Sequence, residues 1–344
     1  MRLIQFYIPD RGRRVGIVDG DTVSDMTSVR PDWRRVIHIA ECALQSGTSL
    51  ATIIERTLAE NEPQQIPYET LLRSSEGRAP IGPPISASDQ RRILISGTGL
   101  THMGGMKSRD QMHSGQSDVD AVATDSSRMF QMGLDGGKPP AGQRGTAPEW
   151  FYKGSGFNLR GRGQALEIPR FAEDGGEEPE VAAVYIIDES GTPRRLGFCL
   201  GNEWSDHPLE KTNYLYLAPS KLRTCSIGPE LVTDLDFSNV ELRCTVQRDD
   251  TIIYDSGPLL SGEDHMCHSL TNCEDHHFKF PQHRRPGDIH VHFFGTSRLS
   301  FGERDWVYEE GDVITIRSPQ FGAPLVNTVV RKLPDSRPVA VRPL

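Results

Sequence analysis

From residue 149 onward the chain is a succession of short strand-forming runs cut by turn signals, and this restricts its fold more than any other feature. Candidate strands are 150–153, 181–187, 196–201, 240–247, 251–254, 289–294, 313–317 and 325–331. Asp249-Asp250, Ser256-Gly257-Pro258 and Glu310-Gly311-Asp312 separate several of them, as turn-forming residues do. No long series of alternating strands and helices is present, and no internal repeat. A rolled or closed β-rich fold of the α+β class is therefore expected, not a doubly wound parallel sheet.

Upstream the pattern differs. Residues 1–24 read as short strands, and 34–44 and 50–60 have helical spacing. The stretch 62–90 is rich in Pro, Ser and Gly and reads as a linker. The expectation is a small N-terminal α/β module over 1–85 and a larger catalytic domain over 86–344. Within the latter, 91–100 is a strand ending in a glycine turn. Residues 103–147 hold five methionines with little aliphatic periodicity and are expected to form a lid.

One strand raises a chemical question. The apolar run Val181–Ile187 is entered through Glu178-Pro179-Glu180. Side chains alternate along a strand, so the two carboxylates share a face. Desolvating two like charges there is costly. Taken alone, the pair is either a solvated acidic loop or a site for a hard divalent cation, which favours carboxylate oxygens.

Bulk properties narrow the partners. The net charge is −9 and no basic stripe appears, so nucleic acid is not an expected partner. No apolar run approaches the roughly 20 residues of a membrane span, and the first residues lack the apolar core of a signal peptide. A cytoplasmic location is expected, with the six cysteines as reduced thiols rather than disulfides.

Several segments then line up in order. These are Gly97-Thr98-Gly99-Leu100-Thr101-His102, Glu178-Pro179-Glu180, Asn202-Glu203-Trp204-Ser205, Lys221 followed by Gly228-Pro229, and Pro286-Gly287-Asp288 followed by Gly295-Thr296. Together they resemble the fumarylacetoacetate hydrolase superfamily over about residues 90–335. The surroundings of these motifs look most like its sugar-acid branch, linked to dehydration of 2-oxo-3-deoxy-pentonates. The resemblance implies a mixed β-roll catalytic domain that dimerises. It implies Mg²⁺ or Mn²⁺ on Glu178, Glu180 and Glu203, with Glu203 standing where the family carries Asp. Lys221 would hold substrate charge, and Thr296 beside Gly295 would contact the substrate carboxylate. His102 is the candidate base. Many relatives place a Glu three residues after this His; here that position is Gly105. Ser297 likewise replaces a Pro.

The chemistry of a bound 2-oxo acid fits this set. A cation chelated by its carboxylate and 2-oxo oxygens acidifies the C3 protons. A hydroxyl at C4 can then leave, giving a lyase. In a diketo acid the same site would direct water to a carbonyl, giving a C–C hydrolase. A non-catalytic sugar-acid binding protein is a third reading. His207, on the loop after Glu203, and Lys153, after a strand, are further candidates for substrate contact. The histidine-rich segment 262–280 matches no common zinc spacing and is expected as a helix packed on the β domain. Neither a dinucleotide-binding glycine loop nor a nucleophile elbow nor a P-loop is present.

Overall fold

The computed structural model describes residues 1–73, 80–113, 124–335 and 337–344. The N-terminal part contains β1 (Arg2–Ile8), β2 (Gly12–Asp19), β3 (Thr22–Asp25), α1 (Met26–Val29), α2 (Val36–Ser46), α3 (Leu50–Glu60), β4 (Gln64–Pro67) and α4 (Tyr68–Leu72). Next come β5 (Ile93–Gly99), α5 (Met103–His113), α6 (Asp125–Gly136), β6 (Glu149–Ser155), β7 (Leu159–Arg160) and β8 (Leu166–Ile168). The central part contains β9 (Pro179–Ile187), β10 (Pro193–Asn202), α7 (His207–Thr212), α8 (Leu217–Lys221), β11 (Cys225–Ile227) and β12 (Leu231–Val232). The remainder is β13 (Val240–Arg248), β14 (Thr251–Asp255), β15 (Leu259–Ser261), α9 (Leu270–Phe278), β16 (Ile289–Phe293), β17 (Val313–Arg317) and β18 (Leu325–Arg331).

The strands form two mixed sheets. The larger runs β4-β3-β2-β1-β12-β10-β9-β16-β5-β6, with β11 and β7 attached beside β10. The smaller runs β14-β13-β17-β18-β8, with β15 on β13. The β-rich α+β class expected from the turn-punctuated strand pattern is the class observed. Strand β9 is buried at every position, as befits a strand covered on both faces. Its Val181, Ala183 and Tyr185 join the core shared with the smaller sheet. Ala182, Val184 and Ile186 join the core beneath α2 and α3.

Two segments are more regular than their composition suggests. The stretch read as a linker carries β4 and α4, and Tyr68 at the start of α4 is buried with its hydroxyl on Glu230 at 2.9 Å. The segment expected as a lid carries α5 and α6; its middle, 114–123, lies outside the described residues. Thr124 caps α6 by accepting from Ser127 N at 3.1 Å, and its hydroxyl donates to Asp110 of α5. The division at residue 85 falls inside a continuous sheet, because β1 pairs antiparallel with β12 at Arg2–Val232 and Leu3–Leu231.

Candidate metal centre

Two adjacent strands deliver the acidic residues to one end of the larger sheet, and a third braces them. Strand β10 pairs antiparallel with β9, setting Gly201 opposite Glu180 and Asn202 opposite Pro179. One step further, Glu203 N donates to Glu178 O at 3.0 Å. On the other side β16 also runs antiparallel to β9. Its continuation brings Gly295 N to Glu180 Oε2 at 2.7 Å. Gly295 has φ of +92°, a left-handed conformation that favours a residue without Cβ.

Glu178, Glu180 and Glu203 are all buried, and one carboxylate oxygen from each lies within 4.8 Å of the others. The solvated-loop alternative is therefore excluded. Among the described residues this is the one group of His, Cys, Asp or Glu side chains that converges as metal ligands do. The neighbouring Glu177 is turned elsewhere. It accepts from Tyr308 OH at 2.6 Å, Ser300 N at 2.7 Å and Ser300 Oγ at 2.9 Å.

Two lysines enter the cluster from below. Lys221, at the end of α8, donates to Glu178 Oε1 at 2.6 Å and Glu203 Oε2 at 2.9 Å. Lys153, on β6, is fully buried. Its ammonium lies 2.7 Å from Glu203 Oε1, 2.5 Å from Trp204 O and 3.0 Å from Lys221 O. Two of its donors are thus taken by main-chain carbonyls, and the charge is paired with Glu203. His207 opens α7 and places Nε2 3.0 Å from Glu178 Oε1. A carboxylate only accepts, so His207 carries its proton on Nε2. The ring fits because position 176 is glycine; a Cβ there would lie 2.0 Å from His207 Nδ1.

The electrostatics divide the triad. Burial opposes ionisation of Glu178, but Lys221 and His207 outweigh it and hold the carboxyl well below its usual range. Burial and then the charges of Glu203 and Glu178 push Glu180 well above its usual range. Glu203 is raised by burial and by Glu178, against the pull of Lys153 and Lys221. Burial works against the Lys221 ammonium, yet Glu178 and Glu203 raise its pKa above the ordinary lysine value. Glu180 Oε1 is buried with no hydrogen-bond partner. A lone acceptor inside an acidic cluster is costly, and a cation held by all three carboxylates would satisfy it. The residues present therefore fit a hard divalent ion.

A narrow cleft reaches the cluster at Glu178, lined also by Gly99, Gly105, Arg109, His207, Glu210, Gly295 and Thr296, among others. The residues anticipated from sequence thus meet here, with two differences. Lys153 stands behind Glu203, and among the described contacts His102 does not reach the carboxylates. The His102 ring is buried, and its Nδ1 lies 2.8 Å from Thr101 Oγ1. Thr101 donates to Phe294 O at 2.6 Å, so His102 Nδ1 carries the proton and Nε2, which has no partner, is bare. Burial, with His265 nearby, lowers its pKa to about 3, so the ring is neutral at pH 7.

Arg109 and Glu210 were not anticipated. Arg109 Nη1 binds both oxygens of Glu149, at 2.7 and 2.8 Å. Its Nε lies 2.9 Å from Glu210 Oε1. Tyr214 OH donates to Glu149 Oε2 at 2.9 Å. One signal was available: Glu210 follows His207 by three residues, which on a helix is the same face.

A second buried polar cluster lies between α9 and the sheet. Trp150 Nε1 donates to His277 Nδ1 at 3.2 Å, so His277 Nε2 donates to His290 Nδ1 at 2.9 Å. His283 Nδ1 donates to His277 O at 2.7 Å, and His292 Nδ1 shares a hydrogen bond of 2.9 Å with Ser96. The other histidines of 262–280 diverge: His265 pairs with Asn239, His268 with Asn272, and His276 with Gly145 O.

No family model matches the chain. A Haloferax volcanii protein named "Probable 2-keto-3-deoxyxylonate dehydratase" is 30% identical over 187 residues, or 53% of this chain and 60% of that protein. The 2-dehydro-3-deoxy-D-arabinonate dehydratase of Saccharolobus solfataricus is 34% identical over 94 residues, or 27% of this chain and 30% of that protein. The chain thus spans less than two thirds of the length of these curated relatives. Among solved structures, a 2-keto-3-deoxy-D-arabinonate dehydratase complexed with magnesium and 2,5-dioxopentanoate superposes with a TM-score of 0.66 at 19% identity, covering 97% of this chain and 100% of that one. A Sphingobium maleylpyruvate hydrolase in complex with manganese and pyruvate gives 0.56 at 15% identity, over 96% and 99%. The resemblance to the fumarylacetoacetate hydrolase superfamily is borne out in fold and in partial sequence likeness to its sugar-acid branch.

Proposed function

We propose that this protein is a divalent-metal-dependent hydro-lyase that dehydrates a 2-oxo-3-deoxy sugar acid. The observation that carries the reading is the buried triad of Glu178, Glu180 and Glu203 with an unpartnered oxygen beneath a cleft. Support comes from the two dehydratase relatives and from the magnesium and dioxopentanoate complex that shares the fold. The triad would hold Mg²⁺ or Mn²⁺. Such an ion supplies Lewis-acid polarisation of the 2-oxo group, which makes the C3 protons acidic.

The remaining parts act around the substrate. Lys221 has two donors on the triad and directs the third toward the substrate oxygen that gains charge. Lys153 holds Glu203 in place from behind. His207 orients Glu178 and faces the cleft, where it meets substrate hydroxyls. Gly295 and Thr296 form the wall for the substrate carboxylate. The lid expected over 103–147 would act here, where α5 supplies Gly105 and Arg109 to the cleft lining. We extend the proposal to a homodimer working in the cytoplasm, with 1–85 as an accessory module; among the described residues no helix is long and apolar enough to cross a membrane.

The test is incubation of purified protein with Mg²⁺ and a panel of 2-oxo acids, followed by product mass. A product lighter by one water, lost on chelation of the metal, is the expected result. Two carbon fragments would replace the lyase by a hydrolase, and unchanged substrates throughout would overturn the catalytic reading.

A further inference from the structure

We propose that Glu210, held by Arg109, is the carboxylate that moves the proton in this cleft, the role that the sequence motifs assign to His102. The inference rests on the dehydratase reading and concerns the same site. Glu210 is 1% exposed, it lines the cleft, and its Oε1 has no hydrogen-bond partner. A buried carboxylate oxygen without a donor is costly, and a catalytic role is one reason a fold keeps such a group.

The cause lies in how Arg109 is shared. Arg109 is 8% exposed and spends Nη1 on both oxygens of Glu149, whose second oxygen also receives the Tyr214 hydroxyl. The Nε to Glu210 distance is 2.9 Å, but its direction makes no hydrogen bond. One cation thus stands between two carboxylates and satisfies only one. Glu149 becomes the anchored partner. Glu210 keeps its ion-pair contact with Arg109 while Oε1 is left without a hydrogen-bond donor.

The α5 side of the cleft supplies no acid. Gly105 lines it, and a Cβ there would lie 2.4 Å from Thr296 O. No side chain at 105 can supply a carboxylate. Residues His207 and Glu210 occupy one face of α7, so a substrate over Glu178 meets both.

The step balances without another reactant. Glu210 takes a proton from C3, and the C–H electrons pass into the C2–C3 bond as the 2-oxo oxygen gains charge. Those electrons then form the C3–C4 double bond as the C4–O bond breaks. The departing hydroxide takes the proton back from Glu210 and leaves as water, which restores the carboxylate.

The experiment uses 2-oxobutanoate, which has C3 protons but no C4 hydroxyl, in deuterated water with Mg²⁺. NMR follows C3 hydrogen exchange, and calorimetry follows binding. Wild type is expected to exchange; absence of exchange there overturns the dehydratase reading itself. Glu210→Gln is expected to bind 2-oxobutanoate as wild type does and to lose exchange by about 10²–10⁴-fold. Glu210→Asp, which keeps the charge beside Arg109, should fold and exchange at an intermediate rate. Glu210→Ala should recover exchange when formate is added, which a structural role would not produce. Wild-type exchange in Glu210→Gln, or exchange lost in His102→Gln and kept in Glu210→Gln, overturns the assignment.

Discussion

The carboxylate cleft and the histidine cluster are both buried, both polar and both built on β16 and its neighbours, yet they have opposite electrical character. In the cleft, two ammonium groups face three carboxylates, and Glu180 Oε1 is left without a donor. In the histidine cluster, His277 relays hydrogen bonds from Trp150 to His290, and burial keeps the His277 ring neutral. His290 and His292 are each pushed down to about 3, first by burial and then by neighbouring imidazoles. A site for a cation is recognised by charge left uncompensated at convergent oxygens, not by the number of ligating residue types in a short segment. Segment 262–280 has the richer composition and the lesser claim.

This contrast can be broken most directly at the triad. Glu178→Gln or Glu180→Gln is expected to lower Mg²⁺ affinity and activity by more than about 10²-fold while the fold persists. Calorimetry with Mg²⁺ beside a circular dichroism spectrum checks both halves. Unchanged metal affinity would remove these residues from the ligand set.

Next comes the compensation within the cluster. Lys221→Met leaves Glu178 and Glu203 without their shared ammonium, and breaking a buried ion pair costs about 3–5 kcal/mol. The metal-free variant should melt well below wild type. Mg²⁺ should raise its Tm more than it raises that of wild type, because a ligand of the folded state stabilises by mass action. An equal rise in both proteins would mean that Lys221 and the metal do not share the carboxylates.

Three buried histidines, two of them in the histidine cluster, predict a pH effect of definite sign. His102, His290 and His292 have folded-state values near 3, below the ordinary 6.5. The unfolded chain therefore takes up protons first as pH falls. The stability from neutral burial is complete above about pH 6.5 and is lost as pH drops toward 3, at about 1.4 kcal/mol per pH unit for each ring. His292→Asn should lessen the slope of stability against pH by that amount. Urea melts between pH 4 and 7 measure it, and an unchanged slope would mean that His292 is protonated in the fold.

The smallest expected effect is at the same cluster. Zn²⁺ added to protein with Mg²⁺ present should leave Tm unaltered in wild type and in His277→Gln alike. A zinc-dependent rise that disappears in His277→Gln would make the cluster a metal site after all.

Much of this architecture is written in local pattern. The run 181–187 is apolar throughout and has turn residues on both sides, so its place as a doubly covered strand is read directly. The helix over 50–60 follows from its spacing, and Ser49 caps it by accepting from Thr52 N at 3.0 Å. The pairing of Glu178 with Glu180 was legible because two residues on one strand face need no tertiary information. The junction of β1 with β12 was not, since it joins positions more than two hundred residues apart and two-residue strands leave no periodic trace. Arg109 was invisible for a related reason. It lies in a segment of weak periodicity, and its partners Glu149 and Glu210 come from a strand and a helix brought together only by folding. His102 shows the converse: a motif fixes which residue follows the glycine turn, but not which way its ring faces.

The glycines along the cleft bear on any effort to redesign substrate range. Gly99, Gly105 and Gly295 each put main chain where other pockets put side chains. A methyl group added at Gly99 would come within 1.9 Å of Glu149 Oε1, and one at Gly295 within 2.2 Å of Thr101 Oγ1. Trimming, the usual route to a roomier pocket, has nothing to remove on this wall, and enlarging a residue there collides with the neighbours that support the acidic groups. Libraries aimed at a roomier cleft should therefore leave these three positions fixed and diversify Leu299, a further lining residue.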